Sequence, residues 1–354
     1  MNPPFRRALI TGVSGQDGAL LAAQLLAAGV SVIGTHRRSN AGIDAWRLRE
    51  LAIAGHPALE LRPLDPLDAA ACRALIGESR PDAIFHLAGQ SSVAASFRDP
   101  VGSIEANGLG TVHLLEAVRA HAPNAHFVLA SSAEIFGAPE EAPQNESTPL
   151  AAISPYGLSK LVAHGAVASW RASFGVRASS AILFNHESEW RDPSFVTRKL
   201  SLGAARIALG REESITLGNL EARRDFGYAP DHVAAMAAMA ARENGDDFVL
   251  ATGHASSVRD FACAAFLAAG ITLDWFGDGF DEVGVERDND RVCIRIDPAL
   301  FRPSDAPLLV GDASRARREL GFAPSLDVAG LARRMVEADL ARERHANAID
   351  GGAR

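Results

Sequence analysis

Cysteine is scarce: Cys72, Cys263 and Cys293 are the only three in 354 residues, far apart and in apolar or strand-like surroundings. An odd, scattered set excludes a disulfide framework and a closed zinc site, and implies buried thiols in a reducing compartment. Long apolar runs are missing too. The start, MNPPFRRALITG, leads almost directly into a strand without the apolar segment and small-residue cleavage site of a secretion signal, so a cytoplasmic protein with no membrane span is expected. Positive charge is short, with 35 Lys and Arg against 43 Asp and Glu; the formal net charge of −8 excludes non-specific nucleic-acid binding and requires any anion site to be local. Repeats and linkers are absent as well. The acid-rich run WFGDGFDEVGVERDND (275–290) lacks the ligand spacing of a calcium loop, and no metal is expected.

What remains is ordinary for a soluble enzyme, 47% hydrophobic and 22% charged, enough for one large domain or two smaller ones. Strands alternate with helices through the first half. Arg7 to Thr11 reads as a strand that runs into TGVSGQDG and then an Ala/Leu-rich helix from near Ala19. Gly12, Gly15 and Gly18 at these spacings let the backbone turn tightly and approach a pyrophosphate, with Gln16 and Asp17 in the same turn. A second strand, Ser31 to Thr35, ends at Arg37, Arg38 and Ser39. Arginine here accommodates a 2′-phosphate where an NAD site carries an acid, which points to NADP. Leu59 to Leu64 is a third strand, with Asp65 at its end facing the adenine. Ala83 to Leu87 is a fourth, and the run after it, through Ala88 and Gln90, is small enough to lie against the cofactor. Asn107, on a helix from about Ile104 to Ala120, is either an ordinary polar residue or a bridge between sheet and site. The alternation gives a doubly wound parallel, Rossmann-type α/β sheet.

The stretch from Ser131 to Lys160 organises the rest. An apolar run, Phe127 to Ala130, places Ser132 and Glu134 at the C-terminal end of a buried parallel strand, where open α/β sheets hold their ligands. Tyr156 and Lys160 are four apart in a helical pattern, so phenol and ammonium share one helix face. A cation beside a phenol favours the phenolate and makes a proton acceptor near neutral pH. A strand from Ala178 to Phe184 closes the first domain, residues 1–184, to which the chain returns at about 223–252. Residues 185–354 then supply mainly a smaller mixed domain for the substrate. In it, Arg302 before a proline is a rigid candidate for a phosphate contact.

These motifs together resemble the extended short-chain dehydrogenase/reductases and, within them, the GDP-mannose 4,6-dehydratase family. The likeness covers TGVSGQDG, the RRS after the second strand, HLAGQS, SSAEIFG, SPYGLSK, ILFNHES, FVTRK, LGNLEARRDFGYAPD, FVLATG, VRDF and DPALFRP. The resemblance implies a GDP-sugar substrate, tightly bound NADP contacted by Leu87 among others, and a homodimer or homotetramer. Tyr156 and Lys160 would take the C4 hydroxyl proton while Ser132 holds that oxygen and Glu134 removes the C5 proton. Lys199 and Arg224 would meet the diphosphate and Asn185 the sugar or its phosphate. Three departures stand out: Ala133 where the family carries a polar residue, Glu189 to Ser194 with a new Trp190 and a retained Arg191, and Ser92 in place of a histidine. A GDP-heptose would fit a site reshaped near C6. Two further readings share the scaffold. A 4-epimerase or 4-keto reductase generally lacks the glutamate, and a non-catalytic NADP sensor tends to lose the tyrosine and lysine.

Overall fold

The computed structural model describes residues 3–37, 45–302, 304, 306 and 308–351. Arg38 and Ser39 therefore lie outside the described residues. In chain order the strands are β1 (Arg7–Thr11), β2 (Ser31–His36), β3 (Leu59–Pro63), β4 (Ala83–His86), β5 (His126–Ala130), β6 (Ala178–Leu183), β7 (Asn185–Glu187), β8 (Ile215–Leu217), β9 (Arg223–Tyr228), β10 (Asp247–Leu250), β11 (Ala255–Ser257), β12 (Leu273–Phe276), β13 (Val283–Glu286), β14 (Val292–Ile296) and β15 (Leu308–Leu309). The chain forms two compact units: Met1–Phe184, Ala229–Gly253 and Val310–Ala323 make the first, and Asn185–Tyr228, His254–Leu309 and Pro324–Arg354 the second.

The first unit is built on a seven-stranded sheet of order β10-β6-β5-β4-β1-β2-β3, every pair parallel. Strands β4, β5 and β6 are buried at every residue, as expected of a parallel sheet covered on both faces. On one face, Ile76, Leu114, Val118, Ala163 and Val167 pack with Leu9, Ile84, Phe127 and Leu129 in one apolar cluster. Elsewhere helix Gln16–Ala27 packs on helix Ala229–Ala240. The strand order reverses between β1 and β4, and this switch point is where such sheets bind ligands.

Element ends differ from the sequence reading for local reasons. The first helix starts at Gln16 rather than near Ala19, because Gly15 takes the extended cap conformation (φ −72°, ψ 170°). The helix expected from Ile104 starts at Pro100, capped by the Asp99 carboxylate, and passes through a π-helical segment, Glu105–Leu109, before running on to His121. The last helix, Val328–Gly351, runs on past Glu343, since no proline or glycine interrupts it there.

The second unit holds two small sheets. One has order β11-β9-β15, with β7 also pairing β9; the other is β12-β13-β14-β8. Both mix parallel and antiparallel pairs. Leu200, Ile207, Phe226, Phe261, Phe266 and Met335 form its core, fed by helices Val196–Ala208, Val258–Ala268 and Val328–Gly351. Among the described residues no helix is long and apolar enough to cross a membrane, and no cluster of three metal-ligating side chains occurs.

Candidate active site

The glycine-rich turn between β1 and helix Gln16–Ala27 is shaped by close approaches. Gly12 has φ +76°, and a Cβ on it would lie 2.9 Å from the Ala88 nitrogen; a Cβ on Gly18 would lie 2.3 Å from the Gly12 oxygen. Only glycine fits at either place. Gly15 supplies no side-chain cap to the first helical turn, the arrangement that lets backbone amides hold a pyrophosphate. Gln16 is buried, and its side-chain amide donates to Asp17 Oδ1 at 2.9 Å. A dinucleotide therefore fits this cradle. Arg37 follows β2 and is exposed. Asp65 is also exposed, its carboxylate accepting the Leu67 amide at 3.0 Å at the turn after β3.

Across the switch point a hydroxyl and an imidazole fix the segment after β4. The amides of Leu87 and Ala88 both donate to Thr11 Oγ1 at 3.1 Å, and Thr11 Oγ1 lies 2.8 Å from His86 Nδ1. A hydroxyl has a single proton, so after accepting two amides it must donate to the imidazole. That makes Nδ1 the acceptor and leaves the proton on Nε2. Burial, helped by the charge on Lys160, pushes His86 down to about 3 and keeps it neutral. The sequence reading passed over both residues. The sequence shows only a polar side chain at the end of each apolar strand; that the two are register partners follows from the strand order.

Asn107 is a bridge. It sits in the π-helical segment and is 2% exposed; its Oδ1 accepts the Gln90 amide at 2.9 Å, and its Nδ2 donates to the Gln90 carbonyl at 3.0 Å and to Ser159 Oγ at 2.8 Å. Ser159 in turn donates to the Tyr156 carbonyl at 2.7 Å. One side chain thus ties the cofactor-side segment to the helix bearing the phenol. A π-bulge at such a point is common, since the extra residue per turn redirects one side chain. Ser92, one of the three departures, caps helix Val93–Arg98 through the Ala95 amide.

The helix Pro155–Phe174 is started by Ser154, whose hydroxyl accepts the Gly157 amide at 3.0 Å, with Pro155 in its first turn. Ser96 Oγ accepts the Tyr156 amide at 3.0 Å. At the end of β5 a short 3-10 turn, Ala133–Phe136, carries Glu134 half-buried, and Ser132 caps it by accepting the Glu134 amide at 3.2 Å. A Cβ on Gly157 would lie 2.6 Å from the Glu134 carbonyl oxygen, so the helix and this turn meet as closely as glycine allows. Lys160 Nζ donates to the Ala130 carbonyl at 2.9 Å and stands 5.9 Å from the centre of the Tyr156 ring. Ser132, Glu134, Tyr156 and Lys160 are therefore gathered at the end of β5. Burial lowers Lys160 to about 8, with Asp17 acting in the opposite sense. Ala133 is itself buried within the turn.

Within the second unit, Asn185 opens β7 and is half-buried, and Lys199 is half-buried on helix Val196–Ala208. Arg224 is buried on β9, and its Nη1 donates to the carbonyls of Arg223 and Ala306, both at 2.8 Å. Arg302 is exposed beyond the short turn Pro298–Leu300. The segment after β7 is well braced. Thr197 Oγ1 donates to Glu187 Oε2 at 2.7 Å, Arg191 pairs with the same carboxylate at 3.1 Å, and its guanidinium stacks 3.6 Å from the centre of the Phe195 ring.

A switch-point glycine turn, and a tyrosine and lysine one helical turn apart beside the end of β5, define an enzyme of the short-chain dehydrogenase/reductase class. The sequence profile described as GDP-mannose 4,6 dehydratase matches residues 9–335. The chain is 40% identical over 338 residues to the GDP-mannose 4,6-dehydratase of Sinorhizobium fredii, covering 94% of this chain and 96% of that one. It is 38% identical over 348 residues to the human GDP-mannose 4,6 dehydratase, covering 96% and 93%. Its fold is similar to that of Thermus thermophilus UDP-glucose 4-epimerase in complex with NAD, with a TM-score of 0.77 and 26% identity over 94% of this chain and 98% of that one. The chain belongs to the GDP-mannose 4,6-dehydratase family.

Proposed function

We propose that the protein removes water from GDP-mannose to give the 4-keto-6-deoxy sugar nucleotide. The observation that carries this is family membership over nearly the whole chain together with a carboxylate, Glu134, beside the Ser132, Tyr156 and Lys160 set. NADP, when bound, supplies hydride acceptance from C4 and hydride return to C6. Tyr156, held as the phenolate by Lys160, takes the proton of the C4 hydroxyl, and the Ser132 hydroxyl hydrogen-bonds that oxygen. The 4-ketone so formed acidifies C5–H. Glu134 takes this proton, and the C6 hydroxyl leaves as water. Protons are taken from O4 and C5 and returned to the leaving hydroxyl and to C5, so neither protons nor electrons are consumed overall. Lys199, Arg224 and Arg302 are assigned to the diphosphate and Asn185 to the sugar; Arg37 and Arg38 are assigned to the 2′-phosphate of NADP, and Asp65 to its adenosine.

The protein works as a homo-oligomer in the cytoplasm on this reading. What supports association is an apolar face of the first unit: Val101, Leu109, Leu158 and Val162 are exposed on adjoining helices. Their close packing is marked by Gly108, where a Cβ would lie 2.8 Å from Val162 Cγ1. What supports the compartment is the set of three free cysteines. The test is incubation with GDP-mannose in deuterated water followed by mass spectrometry and NMR. Loss of one water with deuterium at C5 is expected; an unchanged substrate, or a product without that deuterium, would overturn the assignment.

A further inference from the structure

Helix Pro155–Phe174 carries a polar stripe beyond the two residues that define its class. Tyr156, Lys160 and His164 follow at intervals of four and lie on one face. Lys160 and His164 grip consecutive residues at the end of β5: Lys160 Nζ donates to the Ala130 carbonyl at 2.9 Å, and His164 Nδ1 lies 3.3 Å from Ser131 Oγ. Ser131 and His164 are 3% and 8% exposed, so the bond between them does not compete with bulk water. Behind the imidazole, Nε2 stands 3.9 Å from Asp247 Oδ2 on β10. Asp247 is itself fixed by Arg171 at 3.0 and 2.7 Å, from the same helix, and by the Ser180 amide at 3.0 Å. Burial, with Arg171 reinforcing it and Asp247 opposing it, lowers the imidazole below its usual value. A neutral ring with its proton on Nε2 directs that proton to Asp247 and accepts the Ser131 hydroxyl at Nδ1.

We infer that His164 is a positioning residue for the dehydration: acting through Ser131, it sets the peptide from which the Ser132 hydroxyl and the Glu134 turn project toward the Tyr156 phenol. The ladder to β6 already holds the backbone here, the Ser131 amide donating to the Ala181 carbonyl at 2.9 Å, and Lys160 adds a bond at the Ala130 carbonyl. The His164 bond, one helical turn further on, is the one that fixes the Ser131 side chain, at the residue from which the chain leaves the ladder for the Ser132–Glu134 turn. The inference rests on the proposed dehydration. It predicts that loss of the grip costs turnover more than binding, because small misplacements of reacting groups are costly while cofactor and substrate anchors lie elsewhere.

The test compares His164→Phe, His164→Gln, Ser131→Ala and the double variant His164→Phe/Ser131→Ala with the wild-type enzyme on GDP-mannose. His164→Phe and Ser131→Ala are each expected to lower kcat by about tenfold or more, with KM and NADP affinity within about threefold and melting temperature nearly unchanged. Glutamine keeps a donor and an acceptor and should restore most of kcat. The double variant should lose no more than the worse single one, since both remove the same bond. Full kcat in folded His164→Phe, additive losses in the double variant, or loss of melting temperature without a selective kcat effect would each overturn the inference. Should His164→Phe fail to fold, Ser131→Ala decides alone, and unchanged kcat in it would contradict the proposal. An inactive wild type would instead refute the dehydration itself.

Discussion

The two units bury polar groups in different ways. Around the reaction site of the first, the buried partners are mostly neutral: Thr11 with His86, Asn107 with Ser159 and the Gln90 backbone, and Ser131 with His164. The second is braced by ion pairs, with Arg198 on Asp339 at 2.7 Å, both buried, and Arg334 on Glu189 at 3.0 Å. The contrast has a physical reason. A neutral hydrogen-bonded scaffold fixes geometry without adding fields of its own, which on the proposed mechanism leaves the charge at the reaction to Lys160, on which Asp17 acts, to Tyr156 and to Glu134. Within the second unit, ion pairs fix the arrangement of helices and loops.

Substitutions should separate the two regimes. Tyr156→Phe is expected to lower kcat about a thousandfold or more, measured by steady-state turnover of GDP-mannose, with little change in melting temperature. Glu134→Gln should cost about a hundredfold, yet leave C4 oxidation intact, so that a single-turnover assay shows NADPH absorbance rising and persisting. In the second unit, Arg198→Ala leaves the buried Asp339 carboxylate, among the described residues, with Ser201 and Arg342 as its remaining partners. Chemical denaturation should show a loss of about 3 kcal/mol, a far larger effect on stability than either catalytic substitution gives. If Arg198→Ala leaves stability untouched, the contrast between the units fails.

Smaller effects test the neutral scaffold. Asn107→Ala leaves the Gln90 backbone without its partner and should weaken NADP binding by about tenfold, read by calorimetry. Lys160 offers a sign test. Its value is lowered from 10.5 to about 8, so between those limits the unfolded chain binds more protons than the folded one. Stability contributed by this group therefore rises with pH through that window, while activity falls as the phenolate loses its neighbouring charge. Parallel pH profiles of melting temperature and kcat should diverge above pH 8; parallel decline would contradict the role given to Lys160.

Much of this was legible in the sequence because it was local. The glycine turn, the parallel strands and the four-residue spacing of Tyr156 and Lys160 are each dictated by short stretches whose periodicity or backbone demands have one solution. The missing parts are long-range. Thr11 and His86 stand 75 positions apart, and only the strand order makes them register partners. Asn107 left two readings open, an ordinary polar residue or a bridge, and only its bonds to Gln90 and Ser159 decide for the bridge, since nothing in its neighbours announces a π-helical segment. Nothing in the residues around Gly157 shows that the Glu134 turn packs against it. Arg224 is assigned to the diphosphate from its motif; that its Nη1 also binds two carbonyls is a bracing role that no motif displays.

On the proposed mechanism one active site oxidises C4, eliminates water and reduces C6 without releasing its hydride. The most direct test is GDP-mannose deuterated at C4, turned over with an excess of unlabelled NADPH in solution. Deuterium is expected at C6 of the 4-keto-6-deoxy product and none in the bulk cofactor. Deuterium in the bulk cofactor, or a product lacking it at C6, would contradict the internal transfer.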